Sequence, residues 1–276
     1  MTLRAVMQGV RDGSRELVLG TLGGALGLLP VDLRLRLRER GLVIAPLDYP
    51  TGGLRIAAES WIEYRVRRFS CAKEPDTVRW IEGFRPGDVL YDIGANVGAY
   101  SLVAFAAHRG AVPVMAFEPS MSAFPQLVRN LSLNSALASV RAFPVALSDT
   151  TGVATFHYQN MTAGGALHAL GAPVDQNGVS FHPVASVPVL AYCLDQFAQQ
   201  FALPPPSHIK IDVDGPELTI LRGARGLLRA PSLRSLLIEL GGAHRDRDAI
   251  VGELLDAGLV LESDAHENWL FVRKDA

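Results

Sequence analysis

The segment LYDIGANVGAYS, Leu90–Ser101, joins an apolar run to the start of a predicted helix through a turn with two glycines and an asparagine. From about residue 85 onward, apolar stretches of strand length alternate with helix-like segments. Strands that alternate with helices of this length are typical of right-handed β-α-β units and a parallel sheet. The sequence therefore predicts an α/β fold in which this turn is the first strand–helix connection.

The spacing of apolar residues gives the extent of each predicted element. The predicted strands cover residues 88–94, 112–119, 140–149, 207–215, 233–240 and 267–274. The predicted helices cover residues 96–110, 121–134, 216–229 and 247–258. Residues 152–187 break this rhythm, because only VATFHY is predicted as an edge or hairpin strand before VPVLAYCLDQF resumes as strand and helix. A loop this long in a compact domain is usually functional or mobile, so we expect it to shape a substrate pocket.

Composition limits the class of protein. The chain has 276 residues, 49% of them hydrophobic, enough for a large core in one extended domain or two smaller ones. A net charge of -2 gives no electrostatic reason to expect a nucleic-acid partner. Cys71 and Cys193 lie far apart and suggest neither a disulfide framework nor a zinc site, so the expected location is cytoplasmic. No metal site is predicted.

Residues 1–54 are predicted to form a largely helical extension in front of a domain at 55–276. The apolar stretch Leu17–Val31 contains four glycines and is shorter than the roughly 20 apolar residues that span a bilayer. We interpret it as a helical hairpin or packing segment. The alternative is a helix on a membrane surface, since the basic stretch DLRLRLRER follows it and basic amphipathic stretches bind anionic lipid.

The turn at residues 94–98 differs from a dinucleotide-binding turn. A nicotinamide or flavin fold prefers GxGxxG, whose middle glycine lets the backbone approach a pyrophosphate. Here Asn96 occupies that position, between Gly94 and Gly98, and the acid Asp92 precedes the turn. An acid repels a diphosphate but suits a cation, so the sequence favours a ligand with a positively charged end.

A second acid extends this interpretation. Glu118 ends the next predicted strand, 20 residues beyond Gly98, where a carboxylate accepts hydrogen bonds from both hydroxyls of a ribose. The pocket therefore calls for a ribose and a zwitterion without phosphates. S-adenosylmethionine meets these requirements. The alternatives without a ligand are that the turn only begins the next helix and that Glu118 is only a solvated acid at the end of a strand.

Six segments in order resemble one family. DVLYDIGANVGAYS, AFEPS, NLSLN, ALSD, IKIDVDGPELTILRGA and IEL are similar to successive motifs of the FkbM family of S-adenosylmethionine-dependent methyltransferases, from about Glu74 to Leu240. The resemblance implies a class I methyltransferase sheet, Rossmann-like, mostly parallel, with seven strands and the last one antiparallel, and helices on both faces. It also implies O-methylation of a hydroxyl on a sugar, glycolipid or natural product.

The resemblance also implies which residues hold the cofactor. It places the methionine portion of S-adenosylmethionine beside Asp92, Gly94, Asn96 and Gly98. It places the ribose at Glu118, which Pro119 follows, and the adenine near Asp149. Glu74, in the KEP motif, is expected close to the cofactor.

Methyl transfer to a hydroxyl needs alignment of the acceptor and a base that removes its proton. In IKIDVDG, the period of two in a strand puts Lys210, Asp212 and Asp214 on one face. Charges on an interior strand are costly unless they are paired or lie at the rim. Asp212 is the favoured base, and the alternative for Lys210 is simply an ion pair with Asp212.

Three further side chains near this strand are candidates with structural alternatives. Asp214 and Glu217 have the spacing of a helix N-cap and a glutamate in the first turn of the helix. In that case the two residues would only stabilise the start of the next helix. His244 follows the next strand and should emerge at the ligand-binding edge, as a base or as a solvated side chain. Glu239 is an acid in an apolar strand and could orient Lys210 or His244, or join the aspartates around a divalent cation.

The sequence therefore predicts a cytoplasmic S-adenosylmethionine-dependent O-methyltransferase that acts on a small-molecule or glycan acceptor. Two alternatives remain at this point. One is a nicotinamide-binding oxidoreductase on a similar sheet. The other is a non-catalytic protein that contacts membranes peripherally through residues 1–54.

Overall fold

The computed structural model describes residues 24, 27–40, 43–241, 244–264 and 267–274. The chain divides into two compact units, Met1–Val43 and Ile44–Ala276. In the first unit, helix α1 spans Val31–Arg40. The hairpin or packing segment predicted at Leu17–Val31 lies largely outside the described residues.

The second unit begins with short elements that precede the main sheet. Strands β1 (Val43–Pro46) and β2 (Arg55–Ala58) pair in a small sheet. Helix α2 (Trp61–Arg65) follows, opened by a capping box in which the side chains of Ser60 and Glu63 each accept a backbone N–H. After it come the 3₁₀ helix Arg67–Phe69, α3 (Ser70–Lys73) and α4 (Pro75–Glu82).

The central sheet has seven strands in the order β12-β13-β11-β10-β3-β4-β5. Its strands are β3 (Leu90–Ile93), β4 (Val114–Phe117), β5 (Val140–Phe143), β10 (His208–Ile211), β11 (Ser235–Glu239), β12 (Val260–Ser263) and β13 (Asn268–Val272). The five strands from β11 to β5 pair in parallel, while β13 is antiparallel to β11 and to β12. The α/β class and the antiparallel last strand predicted from the sequence are confirmed.

Both faces of this sheet are buried, because its strands alternate between two apolar clusters. In β3, Tyr91 and Ile93 belong to one cluster and Leu90 to the other. One face packs on α5 (Ala99–Ala107), α6 (Phe124–Leu133) and α4. The other face packs on α7 (Leu194–Gln200), α8 (Glu217–Arg222), α9 (Arg225–Arg229) and α10 (Arg247–Asp256). This two-sided burial explains why the strands are nearly continuous apolar runs.

A second, smaller sheet is formed by residues between 146 and 193. Strands β6 (Ala146–Ser148), β7 (Gly152–Tyr158), β8 (Ala169–Leu170) and β9 (Ala185–Cys193) pair in the order β6-β9-β7-β8. The predicted strand VATFHY lies within β7, and the strand predicted at the start of VPVLAYCLDQF lies within β9. The sequence did not predict that these two strands pair with each other along seven residues, nor the short strand β8 in the loop between them.

Two predicted elements are each divided in two, and one strand of the central sheet was missed. The strand predicted at 140–149 breaks at Pro144, because proline lacks the N–H that the ladder needs, and β5 and β6 lie in different sheets. The helix predicted at 216–229 ends at Gly223, and α9 starts at Arg225. Strand β12, in the segment LVLES, escaped prediction because three of its four residues are exposed.

Candidate active site

The turn after β3 lies at the carboxyl end of the parallel strands. Gly94, Asn96 and Gly98 all have positive φ angles, of 81°, 48° and 85°. A Cβ on Gly94 would lie 1.9 Å from the backbone oxygen of Asp212, and one on Gly98 would lie 2.5 Å from Leu127 Cδ1. Both glycines are therefore required by close packing as well as by backbone conformation.

A cavity of about 510 Å³ opens above this turn. Of the residues predicted to bind the cofactor, Gly94, Asn96, Glu118 and Pro119 line it. The others do not: they are Glu74, Asp92, Gly98 and Asp149. Half of the residues predicted to bind the cofactor thus lie around one cavity at the carboxyl ends of the strands.

Glu118 follows β4 and joins two loops at the cavity wall. Its Oε1 accepts the N–H of Ser120 and its Oε2 accepts the N–H of Asn96, both at 2.8 Å. Burial raises the pKa of Glu118 to about 7, although these two hydrogen bonds oppose the shift. Glu118 is therefore a buried acid that titrates near neutral pH.

Asp92 lies inside β3, behind the turn. Ser101 Oγ donates to its Oδ2 at 2.5 Å, and Oδ1 has no hydrogen-bond partner among the described residues. Burial raises the pKa of Asp92 even though Lys210 opposes the shift. A buried carboxylate oxygen without a partner is costly, and this cost is a reason to expect a ligand or water near it.

Lys210 and Asp212 form an ion pair at the end of β10, in which Lys210 is buried and Asp212 is partly exposed to the cavity. Lys210 is completely buried, and its Nζ donates to Asp212 Oδ2 at 2.6 Å. Burial disfavours the charge of Lys210, but the carboxylates of Asp212 and Glu74 outweigh it and raise its pKa. The pKa of Asp212 is lowered because Lys210 outweighs the opposing effect of burial. Asp212 lines the cavity but, with its pKa so low, it is a weak proton acceptor.

Asp214 and Glu239 also line the cavity. Asp214 Oδ2 accepts the N–H groups of Leu167 and His168. Burial, with the charge of Asp212, raises the pKa of Asp214 to about 6. Glu239 ends β11, where burial and Asp212 raise its pKa to about 9, so that it keeps its proton at neutral pH. Asp212, Asp214 and Glu239 thus line the same cavity but differ in the direction or size of their pKa shifts.

The predicted helix cap at Asp214 and Glu217 is wrong. The N-cap of α8 is Pro216, without a side-chain cap. Glu217 instead accepts the N–H of Gly215 at 3.1 Å and pairs with His244 Nε2 at 3.0 Å. Proline at the cap position moves the helix start, and the carboxylate turns inward.

The expectation that His244 emerges at the ligand-binding edge is also wrong. Its side chain is completely buried against Glu217 and does not line the cavity. Its Nδ1 accepts the N–H of Asp246 at 3.3 Å, so both ring nitrogens have partners. The structure gives His244 a place behind the loop that carries Asp214.

Glu74 and Asp149 lie beside the cavity wall. Glu74 Oε1 contacts Lys73 Nζ at 3.0 Å and Oε2 accepts from Thr77 Oγ1 at 3.2 Å. Lys73, rather than Glu74, lines the cavity. Asp149 is exposed, and the residues just before it, 145–147, form an apolar part of the wall.

Several cavity residues were missed because they come from segments without a recognisable motif. Besides Lys73 they include Arg67, Asn160 and the segment 164–168. This segment, with Ala163, is fastened to other elements: Ser60 Oγ donates to Ala163 O at 2.7 Å and Arg67 Nε to Gly164 O at 2.9 Å. The sequence predicted only that the region 152–187 shapes a substrate pocket, and it did not identify these residues or their partners.

No helix among the described residues is both long and apolar enough to cross a bilayer. No group of three or more His, Cys, Asp or Glu side chains suited to a metal ion is found in this part of the chain.

Known proteins resemble this chain over most of its length. "Hexuronic acid methyltransferase AglP" of Haloferax volcanii is 24% identical over 205 residues, which cover 73% of this chain and 77% of the relative. "31-O-demethyl-FK506 methyltransferase FkbM" of Streptomyces tacrolimicus is 44% identical over 69 residues, a quarter of each chain. The crystal structure of a methyltransferase FkbM from Methylobacillus flagellatus KT aligns with a TM-score of 0.46 and 17% identity, over 68% of this chain and 44% of that one.

The family is shown by a model that matches more than half of the chain. The profile of the "Methyltransferase FkbM domain" matches residues 92–273, from Asp92 in β3 to the residue after β13. This range contains the turn, the second sheet and the three acids of the cavity. The chain therefore belongs to the FkbM methyltransferase family, whose methyl donor is S-adenosylmethionine.

Proposed function

We propose that this methyltransferase methylates a hydroxyl group of a sugar, a glycolipid or a natural product, with Asp214 as the general base. One observation carries the proposal: Asp214, a half-buried aspartate whose pKa is raised to about 6, lines the same cavity as the turn after β3. A catalytic base works best when its pKa lies near the working pH. The acid is mostly ionised at pH 7, yet far more basic than Asp212.

The residues around the turn fit a bound S-adenosylmethionine. This group supplies a methyl on a sulfonium, with an amino-acid tail and an adenosyl portion. Glu118 has carboxylate lone pairs left for ribose hydroxyls, and Asn96 Oδ1 is buried without a hydrogen-bond partner among the described residues. The apolar wall at 145–147 suits an adenine ring. We assign the methionine portion to Asp92, Gly94, Asn96 and Gly98, and add Lys73 as a cation for its carboxylate.

Asp214 is held so that one oxygen stays available. Two backbone N–H groups occupy Oδ2. Asp212 is held by Lys210, and Glu239 keeps its proton. The sequence alone favoured Asp212 as the base. Of the three acids compared here, Asp214 is the one that is both ionised at pH 7 and basic enough to take a proton, so we prefer it.

The relatives support an oxygen-rich acceptor. One is named for a hexuronic acid and another for the 31-O position of FK506. These names describe those proteins, and they motivate the choice of compounds to test here. The family assignment replaces the nicotinamide alternative.

The test is transfer of a labelled methyl group to a panel of uronic acids, neutral glycosides, glycolipids and polyketide alcohols. We expect alkali-stable, ether-linked label in at least one hydroxyl compound. Label released by mild alkali would indicate a carboxyl ester, and label on an amine would indicate N-methylation. Either result would replace the hydroxyl proposal.

Cofactor binding has a separate test. Calorimetry with S-adenosylhomocysteine should give saturable heat, which Asp92→Ala and Glu118→Ala should greatly reduce. Asp149→Ala serves as the comparison at an exposed position next to the wall. No heat with the wild type at millimolar ligand would contradict the proposed site.

Cytoplasmic location and the division into 1–54 and 55–276 are also proposals. The membrane proposal rests on α1, where Val31, Leu33 and Leu35 are exposed in a segment rich in arginine. Co-sedimentation of the whole chain with anionic vesicles should exceed that with neutral vesicles. Equal sedimentation, or none, would remove the membrane contact.

A further inference from the structure

Arg67 is a cation in the cavity wall whose charge has no carboxylate partner within the described residues. It lies in the 3₁₀ helix after α2, is half-buried, and lines the cavity. Its Nε donates to Gly164 O at 2.9 Å, whereas its two terminal nitrogens form no hydrogen bond or ion pair in the part of the chain that the structure describes. These two nitrogens remain accessible, unlike the Nε of the neighbouring Arg68, which is buried.

The two lysines close to this cavity differ from Arg67, because each already contacts a carboxylate. Lys73 Nζ lies 3.0 Å from Glu74 Oε1, and Lys210 Nζ lies 2.6 Å from Asp212 Oδ2. Most of their charge is therefore compensated within the protein. Arg67 has binding capacity left for a ligand.

Glu118 does not take up this capacity. The charge of Arg67 opposes the rise in pKa that burial causes at Glu118, but no ion pair joins the two side chains. Both carboxylate oxygens of Glu118 accept backbone N–H groups instead. Because a guanidinium cannot lose its proton in a protein, Arg67 keeps its charge beside the cavity at any working pH.

The bond to Gly164 determines how an anion can approach Arg67. Since Nε is occupied, the two terminal nitrogens present a pair of N–H groups at the end of the guanidinium. Such a pair matches the two oxygens of a carboxylate, with which arginine forms parallel hydrogen bonds. The group is also planar and held at one nitrogen, so less conformational freedom is lost when an anion binds.

The segment 164–168 connects Arg67 with the proposed base. Arg67 bonds to Gly164 at one end, and Asp214 accepts two backbone N–H groups at the other end. The ring of His168, at that second end, packs on strand β7. Four residues extend over no more than about 14 Å, so one small molecule can reach from one side chain to the other.

We infer that Arg67 binds a carboxylate of the methyl acceptor, whose reacting hydroxyl then lies beside Asp214. The acceptor class is a hydroxy acid, such as an acidic sugar, with the carboxylate and the free hydroxyl on one small molecule. Lys73 is assigned to the carboxylate of the cofactor, which leaves Arg67 for the acceptor. This inference rests on the proposed function and adds the residue that selects the acceptor.

The carboxylate is held by Arg67 and is not modified. The hydroxyl oxygen receives the methyl group, its proton passes to Asp214, and the electron pair of the broken carbon–sulfur bond stays on sulfur. Arg67 thus contributes to binding and orientation, while the chemistry at the hydroxyl is that of the proposed function.

The test compares the best uronic acid glycoside of the panel with its uronamide, which has the same hydroxyls but no charge. We expect the wild type to favour the acid about 100-fold in kcat/KM, mainly through KM. Arg67→Gln should lower kcat/KM about 100-fold for the acid and less than threefold for the amide. Arg67→Lys keeps the charge without the paired N–H groups and should retain about a tenfold preference.

Arg68→Gln is the matched control. The Arg68 Cζ lies 4.3 Å from the ring centroid of Tyr64 and 4.2 Å from that of Phe69, and Arg68 does not line the cavity. The preference for the acid should be unchanged in this variant. If Arg67 served only to hold Gly164, Arg67→Gln would lower kcat/KM equally for acid and amide, and that result would overturn the inference.

Binding of two nucleosides separates the acceptor from the cofactor as the source of the carboxylate. S-adenosylhomocysteine carries a carboxylate, whereas 5′-methylthioadenosine does not. In calorimetry, Arg67→Gln should bind both within about twofold of the wild type. A selective loss of S-adenosylhomocysteine binding would assign Arg67 to the cofactor and overturn the inference.

A titration without methyl transfer keeps the inference separate from the proposed function. The complex of the wild type with S-adenosylhomocysteine is titrated with the acid and with the amide. Tighter binding of the acid, lost in Arg67→Gln, would support the role of Arg67 even if no hydroxyl compound is methylated and the proposed function fails. Equal or absent binding of acid and amide would overturn the inference.

Discussion

Polar clusters lie at both the amino ends and the carboxyl ends of the parallel strands in the central sheet, and strand β10 contributes to both. The two clusters differ in whether their polar atoms have hydrogen-bond partners. At the amino end of β10, His208 Nε2 contacts Asp88 Oδ2 at 3.0 Å and His208 Nδ1 contacts Ser235 Oγ at 2.7 Å. Asp88 Oδ1 accepts from Arg234 at 2.6 Å, and Trp80 Nε1 donates to Ser235 Oγ at 2.8 Å. Every named side chain of this amino-edge cluster has partners, although it has the residue types of a hydrolase triad.

At the carboxyl edge, buried polar atoms remain unsatisfied. Asp92 Oδ1, Asn96 Oδ1 and both nitrogens of His168 have no partners within the described residues. The ring of Phe84 stacks on His208 at 3.8 Å and covers it, whereas Asn96 and His168 line a cavity and Asp92 lies behind its turn. The difference teaches that residue type alone does not mark a site. Buried polar atoms that lack hydrogen-bond partners next to a cavity are the better indication of a site.

The largest expected effect is on catalysis at the carboxyl edge. Asp214→Asn removes the proposed base but keeps an oxygen for the N–H groups of Leu167 and His168. We expect kcat to fall about 100-fold to 10,000-fold, with S-adenosylhomocysteine affinity unchanged. Asp212→Asn is the comparison, and a larger loss there than in Asp214→Asn would return the role of base to Asp212.

The next effect is on stability at the amino edge. Asp88→Ala leaves His208 and Arg234 without their buried partner, and we expect the free energy of unfolding to fall by about 3–5 kcal/mol. The activity of the folded fraction should be unchanged. Asp76→Ala, which breaks the exposed pair with Arg79, should cost less than about 1 kcal/mol. Equal losses in chemical denaturation would contradict the contrast between the clusters.

Glu118 gives a pH-dependent effect on cofactor binding. Ribose hydroxyls donate to the ionised carboxylate, and its pKa is raised to about 7, so protonation competes with binding below that pH. We expect affinity for S-adenosylhomocysteine to weaken roughly tenfold per pH unit below 7 and to level off above it. Glu118→Gln should bind weakly with no such slope, as calorimetry from pH 5.5 to 8.5 would reveal. A flat wild-type profile would argue against the ribose role.

The smallest effect concerns the segment that carries His168. Ser60→Ala removes both the cap of α2 and the hydrogen bond to Ala163 O. We expect a loss of about 1 kcal/mol in unfolding free energy and a rise in acceptor KM of a few-fold, because Asn96 and Asp214 still hold the segment. A large drop in kcat would mean that these remaining anchors are insufficient.

The sequence predicted the central sheet well because its strands are buried on both faces and read as apolar runs between turn residues. It also located the turn after β3, since strand, glycines and helix are contiguous there. Gly94, Asn96 and Glu118 accordingly line the cavity. Local pattern was sufficient wherever one segment determines its own structure.

Prediction failed where distant segments decide the outcome. The partnership of Glu217 with His244 joins two loops, and helix-cap spacing gave no hint of it. His168 was missed because its significance lies in the partners that it lacks, which no linear pattern records. The pairing of the second sheet was missed, although its strands β7 and β9 were predicted, because 26 residues, 159–184, separate the two strands.

Pro144 transfers the chain from β5 of the main sheet to β6 of the smaller one, and 145–147, at this crossing, form the apolar cavity wall. Strand β6 pairs with β9, and β9 with the β7 strand that packs on His168. In the proposed site, the wall assigned to adenine and the segment assigned to the acceptor pocket are therefore connected through the pairing of β6, β9 and β7. On these assignments, redirecting the enzyme to a new alcohol should succeed more often by varying residues 159–168 than by redesigning the paired strands, where each change would also disturb the wall for the nucleoside.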